Sequence, residues 1–140
     1  MTLDDAKREA LSLVVSSRAV VVACNGQDGY PYTKAMFKME HDGLKTVWFS
    51  TNTSSQRVAV FQRDPRASLY FMDAEEAEGV MLVGEMEILD DLESRKRIWR
   101  EGYERYYPLG VSDPDYSVLR FTARWGRYYH NLQTVSFEIS

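Results

Sequence analysis

Phe49-Ser50-Thr51-Asn52-Thr53-Ser54-Ser55-Gln56-Arg57 is the stretch on which the fold of this chain turns. Lys45–Ser50 reads as a strand that stops in a cluster of hydroxyls. A short amphipathic segment follows through about Arg63, with Val58, Ala59 and Phe61 on its buried side. Thr53 and Gln56 stand three apart, in capping-box register, so a helix is expected to start here. Asp64-Pro65 ends it, because proline disfavours helical geometry in the residue before it. Free N–H groups and the dipole at a helix N-terminus attract anions. Thr51 and Ser55 can donate hydroxyl hydrogen bonds, and Arg57 can grip a phosphate through two parallel bonds. A plainer reading stands beside this one: Thr53 or Ser54 simply caps the helix, and Arg57 is solvated.

Working outward, residues 3–16 predict a helix, with Leu3, Ala6, Ala10, Leu13 and Val14 on one stripe and Thr2 and Asp5 placed as a capping box. Arg18–Cys24 is a valine-rich strand closed by the turn formers Asn25-Gly26 and Asp28-Gly29. Tyr30–Glu40 alternates as a second strand, and His41-Asp42-Gly43 turns the chain into Lys45–Ser50. Beyond the short helix, Ala67–Met72 is a strand and Asp73–Glu78 an acidic loop, most simply a solvated one. Val80–Leu89 is a long alternating strand in which Gly84 marks a bulge or bend. Asp90 and Asp91 cap a further long helix, on which Leu92, Trp99, Tyr103 and Tyr106 are expected to share a face. Tyr107–Tyr116 is a loop, and strands Val118–Trp125, Arg127–Asn131 and Val135–Ile139 complete the chain. There is no repeat or linker, so residues 1–140 are expected to form one domain. The regular strand–helix alternation of a parallel sheet is missing. A mainly β, antiparallel barrel with helices on its rim fits better, since closing a sheet removes its exposed edges.

Hydrophobic residues make up 44% and charged residues 27% of the 140, enough for a core and too apolar for a disordered chain. A net charge of −4 offers no basic field, which argues against nucleic acid as a partner. The longest apolar run, Ala19–Cys24, is far too short to span a membrane. One cysteine allows no internal disulfide, and the N-terminus lacks signal-peptide character, so a cytoplasmic location is expected. Cys24, His41 and His130 lack zinc-site spacing, so no metal is expected. Aromatics stand at 13%, with nine tyrosines and three tryptophans. They fit a pleated β core, a flat ligand or a subunit interface.

The pattern Phe-x-Thr-Asn-x-x-Ser-x-Arg, followed by a short helix, Asp-Pro and a strand, resembles the FMN phosphate segment of the pyridoxamine 5′-phosphate oxidase family. The resemblance runs from about residue 10 to the end. It implies an FMN-binding split barrel, working as a homodimer, with Ser50, Thr51, Ser55, Gln56 and Arg57 at the cofactor. Family members usually carry Arg-Lys where this chain has Gln56 and Arg57. Lys34-Ala35-Met36-Phe37 resembles the strand that passes along the flavin ring. Lys34 would then reach the ribityl or phosphate groups, and the main chain of Ala35–Phe37 would meet the ring edge. Arg124-Trp125-Gly126-Arg127 resembles the last strand pair, which implies that Trp125 approaches the flavin from the other subunit, although a core or interface tryptophan fits the same residues. Trp99-x-x-Gly102, Tyr106-Tyr107-Pro108-x-Gly110 and Asp113-Pro114-Asp115-Tyr116 resemble the general stress protein branch.

Two departures bear on activity. The oxidases hold the substrate phosphate with a lysine where Met39 stands, and with a C-terminal Arg-x-His where this chain reads Arg127-Tyr128-Tyr129-His130. Oxidation of the vitamin is therefore not expected. The resemblance points to a flavin oxidoreductase for an unidentified small molecule. A flavin-binding protein without turnover and a dimeric scaffold remain open, as does haem ligated by His130. No general acid or base stands out to separate them.

Overall fold

The computed structural model describes residues 1–140. Helix α1 (Leu3–Ser16) opens with the expected capping box: Asp5 N–H donates to Thr2 Oγ1 at 3.1 Å. Its stripe of Ala6, Ala10, Leu13 and Val14 is buried in the main core. No basic residue lies in its last turn, and Lys38 from elsewhere in the chain supplies the cation instead, its Nζ donating to the carbonyls of Val14 and Val15. Burial pushes the Lys38 amine below its ordinary value.

Eight antiparallel strands form one curled sheet: β1 (Ala19–Asn25), β2 (Pro31–Phe37), β3 (Glu40–Asp42), β4 (Thr46–Asn52), β5 (Arg66–Asp73), β6 (Glu78–Leu89), β7 (Tyr116–His130) and β8 (Gln133–Glu138). The order is β2-β1-β5-β6-β7-β4-β3, with β8 on β7. β7 is long enough to carry two partners end to end on the side away from β6. Tyr116–Thr122 pair with β4 and Trp125–His130 with β8, which splits the barrel. Inward residues such as Val22, Phe49, Leu69, Leu82 and Phe121 meet α1 in the core. Helix α2 (Gln56–Arg63) closes the barrel near β1 and β6. No helix is long and apolar enough to cross a membrane.

Gly84 sits at a bulge, as its position in the alternating run suggests. The β6–β7 register shifts between Val83 and Gly84, and a Cβ on Gly84 would lie 1.9 Å from the Thr122 carbonyl oxygen. Other expectations need correcting. The single strand over Tyr30–Glu40 is two, because Lys38 and Met39 change partner: Lys38 N–H donates to Arg18 O and Met39 N–H to Trp48 O, carrying the chain from β1 to β4. The break expected between Trp125 and Arg127 does not exist. Gly126 lies under the Phe137 ring, where a Cβ would come within 2.8 Å, and the turn falls at Asn131 and Leu132, both at positive φ.

The long helix expected after Asp91 stops early. Helix α3 covers Leu92–Ile98, and two short 3₁₀ turns follow at Tyr103–Arg105 and Gly110–Ser112. Trp99 is extended and Gly102 left-handed at φ 94°, which no continuing helix allows. Leu92 and Tyr106 are exposed rather than sharing the buried face. Trp99 and Tyr103 instead pack edge to face, and both meet Tyr116 edge to face as well. With Trp48, Ile98, Tyr107 and Val118 they form a second apolar cluster on the outer side of β4 and β7. This stretch of sheet is covered on both faces, so Val47–Phe49 and Tyr116–Leu119 are buried without alternation.

Candidate functional site

β4 delivers Thr51 to the barrel mouth with 4% of its surface exposed. The chain then turns into α2, whose cap is Ser55 rather than Thr53 or Ser54: the Ser55 hydroxyl accepts from Val58 N–H at 3.3 Å. Thr53 is engaged elsewhere, its hydroxyl 2.6 Å from that of Ser117. Arg57 lies against the hydroxyls, with Nη2 donating to Thr51 Oγ1 at 3.1 Å and the Thr51 and Ser55 oxygens 3.5 Å apart. Arg57 Nε is buried and has no partner. A buried donor left unpaired costs stability, so this guanidinium retains unused capacity for an acceptor.

Beside it lies a cavity of about 140 Å³ lined by Arg57, Gln56, Lys34, Tyr32 and Cys24, with Val22, Val60 and Phe61 as its apolar wall. Three residues singled out from the sequence (Lys34, Gln56 and Arg57) therefore share one space. Two of them are cations, and no carboxylate lines it. The N–H groups of Gln56 and Arg57, at the first two positions of α2, have no acceptor within the helix. Burial pushes the Cys24 thiol up, with Arg57 opposing the effect, so it is a neutral wall residue. The donor set is that of an anion site, and it fits the phosphate of FMN.

The remaining candidates lie elsewhere. Met36 faces the core, while Ala35 and Phe37 are exposed on the other face of β2. β2 ends the sheet, so alternate N–H and C=O groups along it face away from β1 without a strand partner. Ser50 is half-buried, and its hydroxyl is 2.9 Å from that of Tyr103. Trp125 does not line the Arg57 cavity. It is half-buried in a separate, open groove of about 970 Å³ between β7, β8 and α1, with the Arg127 guanidinium 5.2 Å over its ring. His130 closes β7 with its ring 6.5 Å from that of Tyr128, and His41 Nδ1 lies 3.2 Å from Gly43 O.

Several residues of the site were not legible. Asp115 accepts from Thr53 N–H through its carbonyl at 2.7 Å and from Ser54 N–H through its carboxylate at 2.9 Å. Tyr107 is buried behind the segment, and its phenol is pushed up, by burial first and then by Asp115, with Arg57 opposing. The Asp113-Pro114-Asp115 motif signals a loop, but nothing in local spacing links residue 54 to residue 115.

Residues 3–130 match the sequence family described as pyridoxamine 5′-phosphate oxidase. Among solved structures, the fold is similar to a protein related to Bacillus subtilis general stress protein 26, of the pyridoxinephosphate oxidase family, from Clostridium acetobutylicum. That protein has 46% identity and a TM-score of 0.88 over 99% of this chain and 97% of that one. General stress protein 26 from Bacillus anthracis matches at 15% identity and TM-score 0.75, over 94% of this chain and 98% of that one. A heme binding protein from Mycobacterium smegmatis matches at 19% identity and TM-score 0.76, over 95% of this chain and 57% of that one. No curated protein sequence gives a significant match.

Proposed function

The chain belongs to the pyridoxamine 5′-phosphate oxidase family, and from that premise we propose that it is an FMN-binding oxidoreductase, working as a homodimer on a small molecule. The observation that carries this reading is the Arg57 guanidinium, held by Thr51 with its Nε buried and unpartnered beside the helix N-terminus. Thr51, Ser55, Gln56, Arg57 and Lys34 would hold the phosphate. Ser50 would support the segment from behind, and the free main-chain groups of Ala35, Met36 and Phe37 would meet the ring edge. FMN, when bound, supplies the electron-transfer chemistry, while the protein supplies binding, orientation and access.

Dimerisation is supported by two features. Arg57 and Trp125 line different cavities of one protomer, so a Trp125 contact to a flavin held at Arg57 would have to come from a partner. The outer face of β1, β2, β5 and β6 also carries Val21, Ala35, Phe37, Tyr70, Met72 and Met81 side by side, with Phe37 61% and Met72 54% exposed. Pyridoxamine 5′-phosphate is not the expected substrate. Met39 packs on the outer aromatic cluster, where its sulfur accepts from the Tyr103 hydroxyl at 3.5 Å, and brings no cation.

A visible spectrum of the purified protein tests the reading. Flavin bands released as FMN on denaturation are expected. A Soret band would replace the flavin reading with haem, and a colourless protein that takes up no added FMN would overturn it. Reduction of the bound flavin by a nicotinamide donor, followed by reoxidation with an acceptor, separates an oxidoreductase from a flavin carrier.

A further inference from the structure

We infer that Asp115, just before β7, and Ser117, its second residue, are positioning residues that hold the hydroxyl segment in its phosphate-gripping shape, an inference that rests on the FMN reading above. The segment's own main-chain donors are already committed. Thr53 N–H goes to Asp115 O at 2.7 Å, Ser54 N–H to Asp115 Oδ1 at 2.9 Å and Ser55 N–H to Asn52 O at 3.0 Å. A phosphate is therefore gripped by the Thr51, Ser55 and Arg57 side chains and the first N–H groups of α2, not by the loop backbone. Those hydroxyls are useful only if the loop keeps its path, and Asp115 sets that path by taking two consecutive N–H groups. The Ser117 hydroxyl, 2% exposed, fixes a third point at 2.6 Å from Thr53 Oγ1. Asp115 is itself set by Asp113, 7% exposed, whose carboxylate accepts from Asp115 N–H at 2.9 Å and Leu109 N–H at 3.1 Å. The motif Asp113-Pro114-Asp115 thus shapes the site from 61 residues away along the chain.

The charge of Asp115 makes the inference discriminating. A carboxylate near an anion site opposes phosphate binding, so any benefit must come from hydrogen-bond geometry and not from charge. Asn at this position keeps the acceptor and removes the charge, whereas Ala removes both. If charge alone mattered, both replacements would tighten binding. A positioning role predicts a loss for Ala and none for Asn.

The test is titration of flavin-free protein with FMN and with riboflavin, which lacks the phosphate, reading the ratio of the two affinities. Wild type is expected to prefer FMN. Asp115→Ala is expected to lower that preference about fivefold or more, the loss of roughly one net hydrogen bond, with riboflavin affinity kept. Asp115→Asn keeps or raises the preference, and Ser117→Ala lowers it. An unchanged preference in Asp115→Ala overturns the inference, as does a rise in both Asp115 variants or an equal loss for both flavins. If Asp115→Ala does not fold, Ser117→Ala decides on the same criteria. Wild type that does not distinguish FMN from riboflavin overturns the FMN reading itself, and the inference with it.

Discussion

Replacing Arg57 with methionine should weaken cofactor binding far more than it changes apo-protein stability. Methionine keeps an unbranched aliphatic stem in the cavity that Val60 and Phe61 also line, but removes the guanidinium. In the flavin-free protein two opposing contributions vanish. One is the 3.1 Å bond from the charged guanidinium to Thr51, worth about 1.5–3 kcal/mol, and the other is the buried, unpartnered Nε, which costs about 1–3 kcal/mol. The Thr51 hydroxyl keeps Ser55 at 3.5 Å, so it is not stranded. The two contributions nearly cancel, so the apo melting temperature should stay within about 6 °C of wild type for a chain of this size. The phosphate loses a charge-assisted partner worth about 1.5–3 kcal/mol, so FMN affinity should fall roughly tenfold to over a hundredfold. Differential scanning fluorimetry on flavin-free protein and isothermal titration with FMN read the two effects separately. A lower apo melting temperature combined with undiminished FMN affinity would refute the reasoning, because Arg57 would then be a structural residue.

Gly84→Ala places a methyl group 1.9 Å from the Thr122 carbonyl, so it should destabilise the fold by about 3 kcal/mol or more. A urea midpoint within error of wild type would show that the bulge can open without cost. Asp64 accepts from Arg66 at 2.8 and 2.9 Å and from Asn25, and these partners hold its carboxyl well below the usual carboxylate range. A depressed folded value contributes stability that is fully present above the unfolded carboxyl, near pH 4, and is lost progressively as pH falls from there through the much lower folded value. Asp64→Asn should therefore lower the urea midpoint at pH 7 and lower it by clearly less at pH 2, and an equal deficit at both pH values would contradict that cause. Phe37→Glu puts a charge on the exposed apolar face, so light scattering should give twice 16.2 kDa for wild type and the single-chain mass for the variant. A wild-type monomer at micromolar concentration would remove the shared-site reading.

Features written in short spacing were legible in the sequence, because their partners lie within a turn of each other. The Thr2–Asp5 box starts α1, Gly84 interrupts an alternating run, and a strand, a hydroxyl cluster and Arg57 follow in order. The order of strands and helices also argued against a parallel sheet and for a mainly antiparallel barrel, while the split form was what the family resemblance implied. Choices between competing long-range partners belonged to the tertiary structure. Thr53 has the spacing of a cap, but Ser117 takes its hydroxyl, and Ser55 caps α2 instead. The 99–106 stretch has a helical pattern, but Trp99 and Tyr103 meet Tyr116 edge to face and Gly102 is left-handed, so no helix continues through it. Gly126 resembles a turn residue until Phe137 is laid over it. Lys34, Gln56 and Arg57 meet in one cavity only because β2 comes beside the start of α2, and Asp115 reaches Ser54 only because β7 runs antiparallel to β4. A hydrogen bond three or four residues long is specified by the residues it spans, whereas one that crosses the sheet depends on every strand between its ends being in register.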